Sequence, residues 1–81
     1  MEKQDPYKIL EFIRTCINRN NVKYVEILVT PIRQGFKVEI YPEPEYLELE
    51  RVAYCLSSEL KCKTSIEELR YGKVITINPF G

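Results

Sequence analysis

The spacing of apolar residues along this chain changes twice from a helical to an alternating period, and that succession limits its folds more than any other feature. Ile9, Leu10, Ile13, Cys16 and Ile17 recur three and four residues apart, so they line one side of a helix. Asp5-Pro6 supplies a cap and then proline at the first helical position, and Asn20-Asn21 tolerates the left-handed backbone that ends a helix. The spacing predicts a helix from about Pro6 to Arg19.

Period two follows. Val22 to Pro31 and Phe36 to Tyr41 are rich in β-branched and aromatic residues, which predicts two strands joined through a four-residue loop, Ile32-Arg33-Gln34-Gly35. Placing Val29 opposite Val38 and Ile27 opposite Ile40 turns Val25, Ile27, Val29, Phe36, Val38 and Ile40 to one side. Tyr24, Glu26, Leu28, Thr30, Lys37, Glu39 and Tyr41 then share the other. A slip of one residue would mix valines with Lys37 and Glu39.

The helical period returns after Pro42-Glu43-Pro44-Glu45, prolines and glutamates that suit a first helical turn. Leu49, Val52, Ala53, Leu56 and Leu60 form its apolar stripe, and the helix ends near Lys61. Cys62 to Leu69 and Lys73 to Asn78 alternate again around Tyr71-Gly72. Ile66, Ile75 and Ile77 would face the core, with Leu69, Val74 and Thr76 outward.

The order is thus αββαββ in a single domain spanning residues 1–81. The economical packing is a two-layer α+β sandwich, with two helices on one face of a four-stranded antiparallel or mixed sheet. This order is a circular permutation of the ferredoxin-like βαββαβ arrangement, which implies sheet order 3-4-2-1 with strands two and four parallel across a helix. Such topology carries no functional inference, because it serves many unrelated activities.

Missing residues narrow the chemistry. Histidine is absent and Asp5 is the sole aspartate, which closes the chain to imidazole-based acid–base and nucleophilic systems acting alone. Cys16, Cys55 and Cys62 lack the paired spacing of zinc sites, and three glycines form no phosphate-cradling loop, so no catalytic, cofactor or metal site is expected. The cysteines read as reduced thiols of an intracellular chain, with Cys55–Cys62 as the pair to consider. The abundance of Ile, Lys, Glu, Arg and Tyr resembles hyperthermophile composition, in which intracellular disulfides do occur. No apolar run approaches the roughly 20 residues that span a bilayer, and the N-terminus lacks a secretory pattern, so the expected location is cytoplasmic.

Two function classes remain. The first is a small non-catalytic binding or regulatory module that acts through protein contacts and self-associates, an accessory role of the kind compact viral or plasmid proteins fill. Its candidate interface is Tyr24, Leu28, Tyr41, Leu69 and Val74 on the open sheet face, and Leu47 with Tyr54 on the outward side of the second helix. The alternative is nucleic-acid binding by Lys23, Lys37, Arg70 and Lys73 with Tyr24, Tyr41 and Tyr71 on that sheet face. The clustered Glu43, Glu45, Glu48 and Glu50 read as capping and dipole partners. Twelve basic and twelve acidic residues cancel overall, yet residues 42–60 hold five glutamates and one arginine, net −4, against +4 elsewhere. That asymmetry weakens the argument of neutrality against nucleic acid, and it favours head-to-tail or face-to-helix contacts between copies.

Overall fold

Helix capping fixes the two ends that matter most. In the computed structural model, which describes residues 6–79, α1 spans Pro6–Arg19 and α2 spans Tyr46–Leu60. The strands are β1 (Glu26–Ile32), β2 (Gly35–Tyr41), β3 (Lys63–Leu69) and β4 (Gly72–Asn78). Asp5 and Phe80, expected to cap α1 and to close the core or hook a neighbouring copy, lie outside the described residues.

α1 ends as expected at its asparagines. Asn21 adopts φ 57°, and the Val22 and Asn21 N–H groups donate to Ile17 O and Asn18 O, at 3.0 and 3.1 Å. This is the Schellman closure, in which one left-handed residue lets two otherwise orphaned carbonyls be satisfied. Val22 follows into the core, where it is buried. α2 closes similarly on Lys61, at φ 51°. Its start differs from expectation, because Pro42 to Glu45 precede the helix instead of forming its first turn. Proline disfavours helical geometry in the residue before it, so Glu43 ahead of Pro44 stays extended or turned. Glu48 then accepts from the Glu45 backbone N–H at 3.1 Å, half of a capping box.

The β1–β2 register pairs Val29 with Val38 and Ile27 with Ile40, as the alternation predicted. Ile32 also pairs with Gly35, so the expected four-residue loop narrows to a two-residue turn, Arg33-Gln34. Likewise Leu69 pairs with Gly72 around Arg70-Tyr71. Gly35 and Gly72 make both turns possible, with φ of 152° and 143°. A side chain at Gly35 would collide with the Ile77 carbonyl, and one at Gly72 with the Glu43 carboxylate.

The sheet order β1-β2-β4-β3 is the predicted one, read from the other edge. Strand direction corrects one expectation: β2 and β4 are antiparallel, as is every neighbouring pair. β4 returns by a hairpin from β3 and enters between β3 and β2, so the parallel strands across α2 are β2 and β3, which do not touch. Pro31, without an N–H, sits in the edge strand β1, where one side of the ladder is unpaired.

Both helices cover one sheet face, α1 against β1 and α2 against β3 and β4. Between them and the sheet lie Ile9, Ile13, Ile17, Val38, Leu49, Val52, Leu56, Ile75 and Ile77, all essentially buried. Val25, assigned to the same side as these, is 85% exposed. Its N–H bonds Tyr41 O at 2.7 Å, but it precedes β1 at the sheet edge, beyond the cover of the helices.

The helices are also joined covalently. Cys16 of α1 and Cys55 of α2 form a disulfide, Cα–Cα 5.7 Å, which corrects both the reduced-thiol reading and the Cys55–Cys62 pairing. Cys16 belongs to the buried stripe of α1, and packing that stripe beside α2 sets it facing Cys55, whereas Cys62 follows into the strand. Closing a separation of 39 residues contributes about 2–4 kcal/mol in the chain-entropy account. Cys62 stays free, and burial pushes its thiol pKa upward.

Candidate protein-contact surfaces

Strand alternation determines which side chains leave the core. On the face away from the helices stand Glu26, Leu28, Thr30 and Ile32 of β1, Lys37, Glu39 and Tyr41 of β2, Val74, Thr76 and Asn78 of β4, and Lys63, Ser65, Glu67 and Leu69 of β3. Their side chains interact with one another. Lys37 Nζ donates to the Tyr71 hydroxyl at 3.1 Å, lies 5.8 Å from the centre of its ring and sits 3.6 Å from Glu39 Oε1. Tyr41 donates to Glu39 Oε2 at 2.5 Å. That hydrogen bond to a carboxylate, reinforced by burial and by the Glu39 charge, pushes the Tyr41 phenol up to about 12. The hydrogen bond to Tyr71 raises the Lys37 ammonium as well.

This chain of phenols, ammonium and carboxylate roofs the sheet. Glu39, Tyr41, Tyr71 and Val74 line a single recess, and Val74 is only 2% exposed although it faces away from the helices and belongs to no part of the main core. Val74 is therefore corrected from a contact residue to a buried one. Tyr24 is corrected too: it precedes β1, escapes the alternation and packs against the main core. Tyr41 and Leu69 are half-buried, and only Leu28 remains as an exposed aliphatic of this face.

Of the residues proposed for nucleic acid, Lys37, Tyr41 and Tyr71 meet in the network on the outer sheet face, and the other cations do not join them there as a basic patch. Lys23 lies exposed in the segment before β1, Arg70 and Tyr71 occupy the β3–β4 turn, and Lys73 alternates with Val74 toward the helix side. Of these cations Lys37 alone is central to the outer face, 3.6 Å from Glu39, and the face as a whole carries Glu26, Glu39 and Glu67 against Lys37 and Lys63. A phosphate backbone would meet more carboxylates there than ammonium groups.

α2 offers a different surface. Leu47 and Tyr54 are 62% and 76% exposed, and seven residues place them one above the other on the side opposite Leu49, Val52 and Leu56. Glu50 and Arg51 stand between them and Ser58 one turn beyond. Together with Arg19 and Asn20 from the end of α1, and Cys55 at the base, they line an open groove of about 550 Å³.

The α1 side of this groove is held in place. Arg19 Nη1 bonds Glu59 Oε1 at 2.8 Å and reaches within 3.8 Å of Cys55 Sγ, while Asn20 Nδ2 donates to Cys16 O at 2.9 Å. With the disulfide, the Arg19 contacts fix the end of α1 against α2, and the Asn20 bond closes the last turn of α1 itself. From sequence Arg19 and Asn20 mark only the end of α1, and Glu50 only a member of the acidic cluster, none of them a contact residue. Only the α1–α2 packing brings the first two beside Leu47 and Tyr54, and no local pattern announces it.

The acidic cluster disperses. Glu48 caps α2 as expected, but Glu43 instead accepts from the Lys73 backbone N–H, tying the α2 approach to the start of β4. Among the described residues no three cysteine or acidic side chains gather as a metal-ligand set. Compared with known proteins, the chain matches no family model, no curated sequence and no solved structure.

Proposed function

We propose that this chain is a small non-catalytic binding module that acts through protein–protein contacts and associates with itself, using the outward face of α2. The exposed Leu47–Tyr54 pair beside a groove with fixed walls carries this reading. An aliphatic and an aromatic anchor flanked by a polar rim is the composition of contact-surface centres. Removing each anchor from water is worth about 1.5–3 kcal/mol before the losses of association are counted. The open sheet face supports it less, since its tyrosines and Lys37 are engaged with one another and Val74 is covered.

An intracellular setting belongs to the same proposal. No helix among the described residues is long and apolar enough to cross a membrane. A buried Cys16–Cys55 disulfide inside a cell fits the thermophilic composition.

Light scattering on a sizing column tests the reading. The wild type is expected to elute at twice the monomer mass at about 100 µM, a concentration suited to a small interface of micromolar affinity. Leu47→Glu and Tyr54→Glu, both at exposed positions, are expected to elute as folded monomers. A dimer indifferent to both substitutions would remove α2 as the contact surface.

A further inference from the structure

The two sulfurs of the interhelical disulfide stand in different surroundings. Cys16 belongs to the core stripe of α1 and is fully buried, at 0% exposure, whereas Cys55 is 9% exposed and lines the open groove. Arg19 reaches over Cys55, its Nη1 3.8 Å from Sγ, and the same guanidinium holds Glu59 Oε1 at 2.8 Å. The thiolate is the nucleophile in exchange between thiols and disulfides, and a neighbouring guanidinium favours that form. The third cysteine is set differently. Cys62 shares a small recess with Ile9, Phe36, Leu60 and Ile77, and burial there pushes its thiol pKa up, away from the reactive form.

We propose that Cys55 is an exchange site for low-molecular-weight thiols and disulfides, which make and break the Cys16–Cys55 bond through a mixed disulfide seated in the groove. In the oxidising direction, the reduced Cys55 loses its proton to water and attacks one sulfur of a small disulfide, R–S–S–R. A bond forms between Cys55 Sγ and that sulfur, the small S–S bond breaks, and one R–S⁻ leaves through the groove. Cys16, whose Cα lies 5.7 Å from that of Cys55, then loses its own proton and attacks Cys55 Sγ, expelling the second R–S⁻. The two released thiolates take up two protons. Two cysteine thiols have become one disulfide, and one small disulfide has become two small thiols. Reduction retraces the path: a small thiolate attacks Cys55 from the groove and Cys16 is the leaving group. Cys16 cannot serve as the point of entry, since it is enclosed by the core. The site needs no second copy of the chain and stands apart from the α2 contact reading.

Oxidised glutathione, a tripeptide disulfide, is the probe, added to reduced protein in dilute solution where each chain is alone. Samples are quenched in acid and the adduct is located by peptide mass spectrometry, with circular dichroism recorded on each variant. Cys16→Ala removes the second attacking thiol, so the adduct is expected to accumulate on Cys55, at least about tenfold faster than on Cys62. Cys55→Ala is expected to leave Cys16 unmodified while the chain is folded. In the Cys16→Ala background, R19Q is expected to slow the Cys55 adduct and E59Q, which frees Arg19 of its carboxylate, to speed it, each by roughly threefold. A merely structural role for the ion pair would move both rates the same way, and that result would overturn the part given to Arg19. The wild type gives the same answer without substitution: its intact disulfide, incubated with reduced glutathione, is expected to yield a mixed disulfide on Cys55 with Cys16 as the free thiol. Adducts that appear first on Cys16 or Cys62, or a wild-type disulfide that opens only at the rate of global unfolding, would overturn the proposal. Since no associated species takes part in the measurement, its failure is distinct from failure of the α2 contact.

Discussion

Tyr41 shows how a side chain that looks available in sequence becomes unavailable in the fold. Alternation correctly assigns it, with Lys37, Glu39 and Val74, to the outer sheet face. Alternation says nothing about what those residues do to one another. Tyr41 bonds Glu39, Lys37 bridges Glu39 to Tyr71, and Val74 is buried within the same recess. Position was legible; exposure was not, because it depends on cross-strand contacts that one strand cannot show. The Tyr41 phenol carries a testable consequence. Its pKa in the fold, about 12, lies above the ordinary 10.0. The folded state therefore favours the protonated phenol, a stabilisation fully present below pH 10 and lost as pH rises toward 12. In an ultraviolet titration, the difference between wild type and Tyr41→Phe should show this phenol ionising near pH 12. Replacing Glu39 with Gln should bring that transition down, since the carboxylate is its main cause. Ionisation near pH 10 in the wild type would contradict the hydrogen bond.

Among the elements, the hairpins were the most legible part. One pairing rule, valine against valine, gave the β1–β2 register, because a slip by one residue would turn the apolar set to the wrong face. The loop lengths were overestimated where Ile32 and Gly35 pair, since glycine at φ 152° lets the ladder continue to the turn. The direction of β2 against β4 was misjudged because a register argument concerns neighbours in sequence, and these strands meet only after α2 and β3 intervene. The two turn glycines differ in what stands over them. At Gly35 a methyl group meets the Ile77 backbone carbonyl and Pro79, within the β2–β4 ladder, whereas at Gly72 it meets the end of the Glu43 side chain. Both substitutions force an unfavourable φ, so Gly35→Ala and Gly72→Ala should each destabilise by more than about 1 kcal/mol. Gly35→Ala should be the worse of the two, because a ladder carbonyl cannot swing aside as a glutamate can. Urea midpoints measure the order, and equal losses would contradict the account of the β2–β4 contact.

For the whole molecule, zero net charge conceals an acidic α2 segment and a basic remainder, and the fold decides what that asymmetry presents. It uses the acids locally, in a cap, in a tie to β4 and in an ion pair to α1. The disulfide and the Arg19–Glu59 pair then lock the two helices side by side. What remains outward on α2 is a balanced stripe anchored by Leu47 and Tyr54. Those two anchors were visible in sequence as a pair seven residues apart, but the groove beside them arises only when the end of α1 arrives. The proposed self-association through α2 is tested most directly by amide chemical shifts followed over a dilution series. The account predicts concentration-dependent shifts at Leu47, Glu50, Arg51, Tyr54 and Ser58, extending to Arg19 and Asn20, with the outer sheet face unmoved. Shifts concentrated instead at Leu28, Thr30 and Lys37 would contradict it.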